Sequence, residues 1–182
     1  GKQILSLEQQ KTAALQKLSD EELKKEIENR QKLIALQLES VKAGSEQEYQ
    51  LKMQQLMTQR DAELQQKELT EQMKLAIIEK YNKKIDDLTE QHNNSIIKKQ
   101  EDALRKRFET EIAQVYGDEQ EILRIKMEQK LAELNTMQQL EGESIEDFNL
   151  RKLQAQNDYN DAKKAVADKE IAIEQAKYDA MA

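Results

Sequence analysis

His92 is the only histidine in the 182 residues, and the sequence contains no cysteine. A His-based nucleophilic triad would have to be built on it, and a Glu-x-x-His di-iron motif would need a glutamate where Thr89 stands. A thiolate metal site is excluded without cysteine, and neither the EF-hand pattern nor a glycine-rich phosphate loop occurs. We therefore predict no enzyme, with no catalytic, cofactor-binding or metal-binding residue. His92 is interpreted as a polar break in an apolar seam between Leu88 and Ile96.

One basic cluster could in principle contact nucleic acid or an acidic helix. Its five members are Lys98, Lys99, Arg105, Lys106 and Arg107. Glu101 and Asp102 dilute it, and the formal net charge of the chain is -7, which argues against a dedicated nucleic-acid binder. We interpret the cluster as a solvated helix face with pairs between residues three or four apart.

The elements that carry these residues are predicted to be helices. The sequence has no proline, only 4 glycines, 37% hydrophobic and 36% charged residues, a composition typical of long helices or coiled coil. More than roughly 85% of the residues are expected to be helical, because strong helix formers dominate. No apolar run approaches the ~20 residues of a membrane span, so no span is predicted in this segment. The small apolar fraction predicts narrow buried stripes and an elongated fold.

Helix boundaries are predicted from glycines followed by N-capping residues. Gly44 precedes the cap Ser45, Gly117 precedes Asp118, and Gly142 lies two residues before Ser144. Further caps are read at Ser19 and Thr70 without a glycine. The predicted helices are 20–43, 46–67, 71–116 with a possible break near 93, 119–141 and 145–181, and residues 1–18 also look helical.

The caps are evenly spaced along the chain. The interval is 26 residues from Ser19 to Ser45, 25 from Ser45 to Thr70, and 26 from Asp118 to Ser144. This regularity predicts a degenerate helical repeat of about 25 residues. Short glycine-plus-cap junctions favour antiparallel hairpins or coiled coil. We expect residues 1–182 to be a single elongated segment of a longer protein, with its remaining apolar stripes covered by self-association.

Residues 157–181, which read NDYNDAKKAVADKEIAIEQAKYDAM, resemble the coiled-coil part of bacteriophage and prophage tail tape-measure proteins. The repeated junction, with Glu48-Tyr49 or Asp147-Phe148 after the cap, is also similar to that family. The resemblance implies a structural role: a tape measure fills the tail tube during assembly, sets its length and is ejected ahead of the genome. It implies tail-tube or other structural proteins as partners, and the virion tail or host cytoplasm as the location.

The alternative is a cytoplasmic bacterial coiled-coil scaffold or surface protein that binds proteins along a helix face. Neither reading implies a cofactor, a small-molecule substrate or a specific nucleic acid. An apolar, Gly/Ala-rich segment downstream would favour the tape measure, whereas a signal peptide or anchor would favour the scaffold.

Overall fold

The fold consists of five consecutive helices. The computed structural model describes residues 2–182, with side chains from residue 7 onward except residue 8. The helices are α1 (Lys2–Ser40), α2 (Glu46–Leu64), α3 (Glu71–Gln114), α4 (Glu119–Thr136) and α5 (Ile145–Met181). They hold 86% of the chain, and residues 2–182 include no strand. The prediction of an all-α protein is confirmed.

Four of the five predicted N-caps are present. Each accepts a hydrogen bond from the backbone N–H three residues later, which satisfies one of the donors left free at a helix start. The bonds are Ser45 from Glu48 at 3.1 Å, Thr70 from Met73 at 3.1 Å, Asp118 from Glu121 at 3.1 Å and Ser144 from Asp147 at 3.0 Å. The first turns of α2, α4 and α5 each carry two acidic residues, which interact favourably with the positive end of the helix dipole.

Left-handed residues mark the junctions between helices. Gly44, Gly117 and Gly142 have φ values of 76°, 88° and 78°, in the region where a side chain is strained and glycine is not. The prediction that these glycines mark helix breaks is confirmed. At the junction between α2 and α3 the left-handed residue is Glu68, with φ of 66°. A non-glycine residue in this conformation carries a steric penalty that the other junctions avoid.

The predicted helix start at Ser19–Asp20 is wrong, because α1 runs without interruption from Lys2 to Ser40. Ser and Asp are good caps, but neither stops a helix that is already under way. Here no glycine or proline precedes them, and Leu18 and Glu21 on either side favour the helix. A capping sequence therefore marks a start only where something else ends the preceding helix.

Four helices end earlier than predicted, and α3 is unbroken. Helix α1 stops at Ser40 instead of 43, α2 at Leu64 instead of 67, α3 at Gln114 instead of 116 and α4 at Thr136 instead of 141. Helix α3 continues through Asn93 and Asn94, so the possible break near 93 does not occur. The early end of α4 leaves a longer connection, residues 137–144, which we call the 137–144 loop.

The helices divide into two compact units, residues 1–89 and 90–182. In the first, α1 packs against α2, and the buried apolar side chains are Ile27, Ile34 and Tyr81. An open groove of about 940 Å³ in this unit is lined by Lys24 and Ile27 of α1 together with Ala62 and Leu64 of α2. A narrow apolar stripe on a polar helix buries only a few residues, which agrees with the small number of buried side chains in this unit.

In the second unit α4 packs against α5, and Phe108, Ile125 and Val166 are buried. Two ion pairs link these helices: Arg124 with Glu170 at 3.1 Å, and Lys169 with Glu119 at 2.8 Å. Both pairs are solvent-exposed and contribute little to stability. Packing therefore rests on the apolar stripe. The predictions of a repeat of about 25 residues and of a single segment of a longer protein stay predictions.

We expect Gly117→Ala to destabilise the protein by about 1 kcal/mol, because a Cβ in the left-handed region is strained. No atom lies within 4 Å of a Cβ built at Gly117, so no steric clash adds to the backbone strain. Glu68→Gly should instead stabilise the protein, because it relieves the same kind of backbone strain. Urea denaturation followed by circular dichroism measures both. Stabilisation by Gly117→Ala would show that the left-handed turn is not needed there.

Candidate functional site

His92 lies half-buried on α3, inside the continuous helix. Among residues whose side chains are described, no group of three or more His, Asp or Glu residues could hold a metal ion. Searched over the same residues, no helix is long and apolar enough to cross a membrane. The prediction of no catalytic or cofactor site stays a prediction.

The basic cluster is an exposed face of α3. Arg105 pairs with Asp102 at 3.0 Å and with Glu109 at 3.8 Å, and Arg107 pairs with Glu111 at 3.1 Å. These partners are three or four residues away on the same helix, which is the spacing at which side chains become neighbours. The interpretation as a solvated, paired helix face is confirmed for the two arginines.

A buried tyrosine joins α2 to α3 at what we call the Tyr81 junction, formed by Glu63, Lys80 and Tyr81. Tyr81 is 3% exposed, and its hydroxyl donates to Glu63 Oε1 at 2.7 Å. Lys80 Nζ donates to both carboxylate oxygens of Glu63 at 2.7 Å. The ammonium groups of Lys80 and Lys84 also lie 5.0 and 5.1 Å from the centre of the Tyr81 ring, within cation–π distance.

The charges at the Tyr81 junction stabilise one protonation state. The pKa of Glu63 is lowered, first by the hydrogen bond from Lys80 and then by that from Tyr81. Burial, followed by the hydrogen bond to Glu63, raises the pKa of Tyr81 to about 12. The hydroxyl therefore remains a donor to a carboxylate that remains charged, which makes a strong hydrogen bond. In the same unit, the Tyr49 hydroxyl lies 3.2 Å from Thr89 Oγ1 and forms a second link between α2 and α3.

A second polar junction holds the 137–144 loop on α3. The side chain of Asn94 accepts from the Glu141 backbone N–H at 3.0 Å and donates to its carbonyl at 3.2 Å. Asn93 donates to Glu141 Oε1 at 2.7 Å. The asparagine side chains thus bond to the loop and not to their own backbone, where they would compete with the helix. This explains why the most polar stretch of the sequence does not break α3.

An arginine–carboxylate pair closes the 137–144 loop from within. Arg151 donates from Nε to Glu143 Oε1 at 2.5 Å and from Nη2 to Oε2 at 2.8 Å, and Nη2 also donates to the Gln138 carbonyl at 3.0 Å. The Glu143 carboxylate accepts the Leu140 backbone N–H at 2.9 Å. The pKa of Glu143 is lowered, chiefly by the hydrogen bonds from Arg151. The bidentate pair thus supplies partners for two backbone groups that lie outside α4, the Gln138 carbonyl and the Leu140 N–H.

These junctions were not predicted from the sequence. The bond of Tyr81 to Glu63, 18 residues away, is not indicated by any motif in the sequence. The available signal is a tyrosine inside a seam with lysines at positions 80 and 84. For Asn93 and Asn94 the sequence indicates only a possible break near 93. In both cases the polar atoms position helices and a loop.

We expect Tyr81→Phe to lower the free energy of unfolding by about 1 kcal/mol, because the Glu63 carboxylate loses a donor. In the folded protein an ionisation step near pH 12 belongs to Tyr81. Since this pKa is raised above the usual 10.0, its contribution to stability is complete below pH 10.0 and is lost as the pH rises through about 12. Phenolate absorbance measures the step, which Tyr81→Phe removes and the exposed control Tyr178→Phe keeps. Loss of the step in the control alone would contradict the assignment.

We expect Glu143→Gln to destabilise the protein at pH 7, because the 137–144 loop loses its charged acceptor. The folded pKa of Glu143 lies below 4.5, so its contribution is present above that pH and is lost as the pH falls through the folded value. The difference between variant and parent should therefore shrink towards pH 3. Urea denaturation at both pH values measures it, with Glu109→Gln on the exposed face of α3 as the control. An equal difference at both pH values would argue against this ionic contribution.

The comparisons with known proteins add no assignment. No protein-family model, curated protein or solved structure matches the chain.

Proposed function

We propose that the chain is a structural helical segment of a protein similar to bacteriophage tail tape-measure proteins, acting in tail assembly and length determination. The observation that carries the proposal is the recurrent junction, in which a left-handed glycine is followed within two residues by an N-cap. It occurs at Gly44, Gly117 and Gly142. This junction belongs to the resemblance together with residues 157–181, most of helix α5. The virion tail, or the host cytoplasm during assembly, is the corresponding location.

The proposal includes an arrangement of antiparallel helical hairpins built on a repeat of about 25 residues. In the first unit, Lys24 of α1 and Ala62 of α2 line the same groove, as expected if the chain folds back at Gly44. Between α4 and α5, the pair Lys169–Glu119 joins the start of one helix to a late part of the next. Both observations support hairpins, since a straight continuation would separate these residues by tens of ångströms.

Unpartnered apolar side chains support a role in which the segment contacts other proteins. Six apolar side chains are buried among those described, whereas leucines on α1, α3 and α5 remain more than half exposed. Clustered exposed apolar residues of this kind mark protein interaction sites. Contacts with copies of the chain, with the tail tube or with other tail proteins would cover them.

The test is an internal deletion in the full-length gene of the encoding phage or prophage. Removing residues 118–143 takes out 26 residues and fuses Gly117 to Ser144, which recreates a Gly–Ser junction like that at Gly44–Ser45. If the hairpins open in the tail and the segment lies extended along the tube, the tails should shorten by up to roughly 39 Å, since each helical residue contributes ~1.5 Å. Electron microscopy of purified particles measures the length.

A matched swap controls for damage to the fold. Replacing residues 118–143 by residues 19–44 keeps both the chain length and the glycine-plus-cap junctions, so it should restore tails of normal length. Particles that lack the chain, or deletion tails of unchanged length, would overturn the tape-measure proposal.

A second candidate is a protein-binding coiled-coil scaffold. It is favoured by α5, where Leu150, Leu153 and Ile171 are 54%, 58% and 65% exposed. A scaffold would be recovered with a bound protein from cells, and that binding would be lost in Leu153→Glu. Its deletion would leave tail length unchanged.

A further inference from the structure

Helix α1 carries two apolar stripes on opposite sides. One contains Ile27 and Ile34, which are 5% and 3% exposed within the first unit. The other, which we call the outer leucine stripe, consists of Leu15, Leu18, Leu33 and Leu36, which are 67%, 56%, 55% and 63% exposed. Ile27 lies nine residues from both Leu18 and Leu36, about 2.5 helical turns, which places it on the opposite face.

The four leucines of the outer leucine stripe lie on the same face of α1. Leu15 and Leu33 are 18 residues apart, as are Leu18 and Leu36, and 18 residues make about five full turns. The stripe therefore has an apolar pair at each end. On the same line between the pairs lie Glu22 and Asn29, which are polar.

The spacing of the stripe is the same in both directions. Read forward, the positions 15, 18, 22, 29, 33 and 36 have steps of 3, 4, 7, 4 and 3 residues. The centre of symmetry lies between Lys25 and Glu26. A second helix of identical sequence, running in the opposite direction, therefore presents leucine wherever the first presents leucine.

We propose that the outer leucine stripe binds the same stripe of a second copy of this chain, with the two α1 helices antiparallel about a two-fold axis between Lys25 and Glu26. In this register Leu15 faces Leu36 of the second copy, and Leu18 faces Leu33. Each contact occurs twice, as a two-fold interface requires. The exposed leucines form the apolar contacts at the two ends of the interface. The polar residues Glu22 and Asn29 lie at its middle.

Charge selects the antiparallel direction. Glu22 faces Asn29 of the second copy, whose amide can donate to the carboxylate, and Arg30 of that copy is the next residue. A parallel pair in register would place Glu22 opposite Glu22 and Lys25 opposite Lys25, and like charges across a helical interface destabilise it. The sequence of the stripe is thus complementary to itself in one direction only.

The interface rests on the self-association included in the proposed function, but it does not depend on the role in a phage tail. The experiments therefore use the purified chain. A failure of the tail-length experiment leaves them unaffected, and a monomeric chain would remove the interface without deciding the tail role.

Light scattering after size exclusion tests the interface first. At tens of micromolar we expect the chain at twice its mass of 21.2 kDa. The double variant Leu18→Glu/Leu33→Glu should run at the single-chain mass, with unchanged helicity because both residues are on the solvent side. The control is Leu75→Glu, at an exposed leucine of α3 that is 58% exposed, and it should remain dimeric. A monomeric parent, or a double variant that stays dimeric, overturns the proposal.

Disulfide formation tests the direction independently of those variants. The chain contains no cysteine, so Glu22→Cys and Asn29→Cys each introduce a single thiol and leave all four leucines in place. In the antiparallel register a mixture of the two variants should form a mixed disulfide. Each variant alone should not, because identical positions are seven residues apart along the axis, roughly 10 Å, too far for a disulfide. A Glu22→Cys homodimer as the main product would show a parallel pair and overturn the proposal.

Discussion

The ends of the helices set the constraint on which this structure depends. A helix satisfies its backbone internally, but the first N–H groups and the last carbonyl groups of each helix need other partners. A polar chain with narrow apolar stripes has little core, so the residues at each junction must supply hydrogen-bond partners for these backbone groups. Serine, threonine and aspartate caps do so at the starts. Left-handed residues mark the junctions at the ends, and where α4 stops early, Glu143 and Arg151 supply hydrogen bonds to the loop.

The same constraint explains why apolar and polar residues have different structural roles. Helices are held side by side by the burial of apolar residues, namely Ile27, Ile34, Phe108, Ile125 and Val166. Apolar packing alone does not fix the position of one helix along its neighbour. The directional hydrogen bonds of the Tyr81 junction and of Asn94 with Glu141 fix one position along α3. Polar junctions therefore set the register, and the apolar stripes supply most of the free energy.

Local features of the fold were predictable from the sequence, whereas the candidate site was not. Glycine and cap residues act on neighbours within four positions, so the junctions at Gly44, Gly117 and Gly142 could be read directly. Ser19 was misread because a cap is permissive and needs a preceding helix end. The early end of α4 is followed by the bonds of Arg151 to Glu143 and Gln138, and Asn94 in the continuous α3 bonds to Glu141, 47 residues away. Contacts at that separation leave no trace in local spacing, so they became visible only in three dimensions.

The pairing of Asn94 with Glu141 has a consequence for the exchange of backbone hydrogens with solvent. The Glu141 N–H lies in a loop outside any helix, yet it is bonded to a side chain of α3 at 3.0 Å. Amides in loops normally exchange quickly, and protection reports the free energy of local opening. Protection at this amide is set by a side chain on another element and not by a backbone ladder. A single slowly exchanging loop amide thus reports whether the 137–144 loop is docked, separately from the unfolding of α4 or α5.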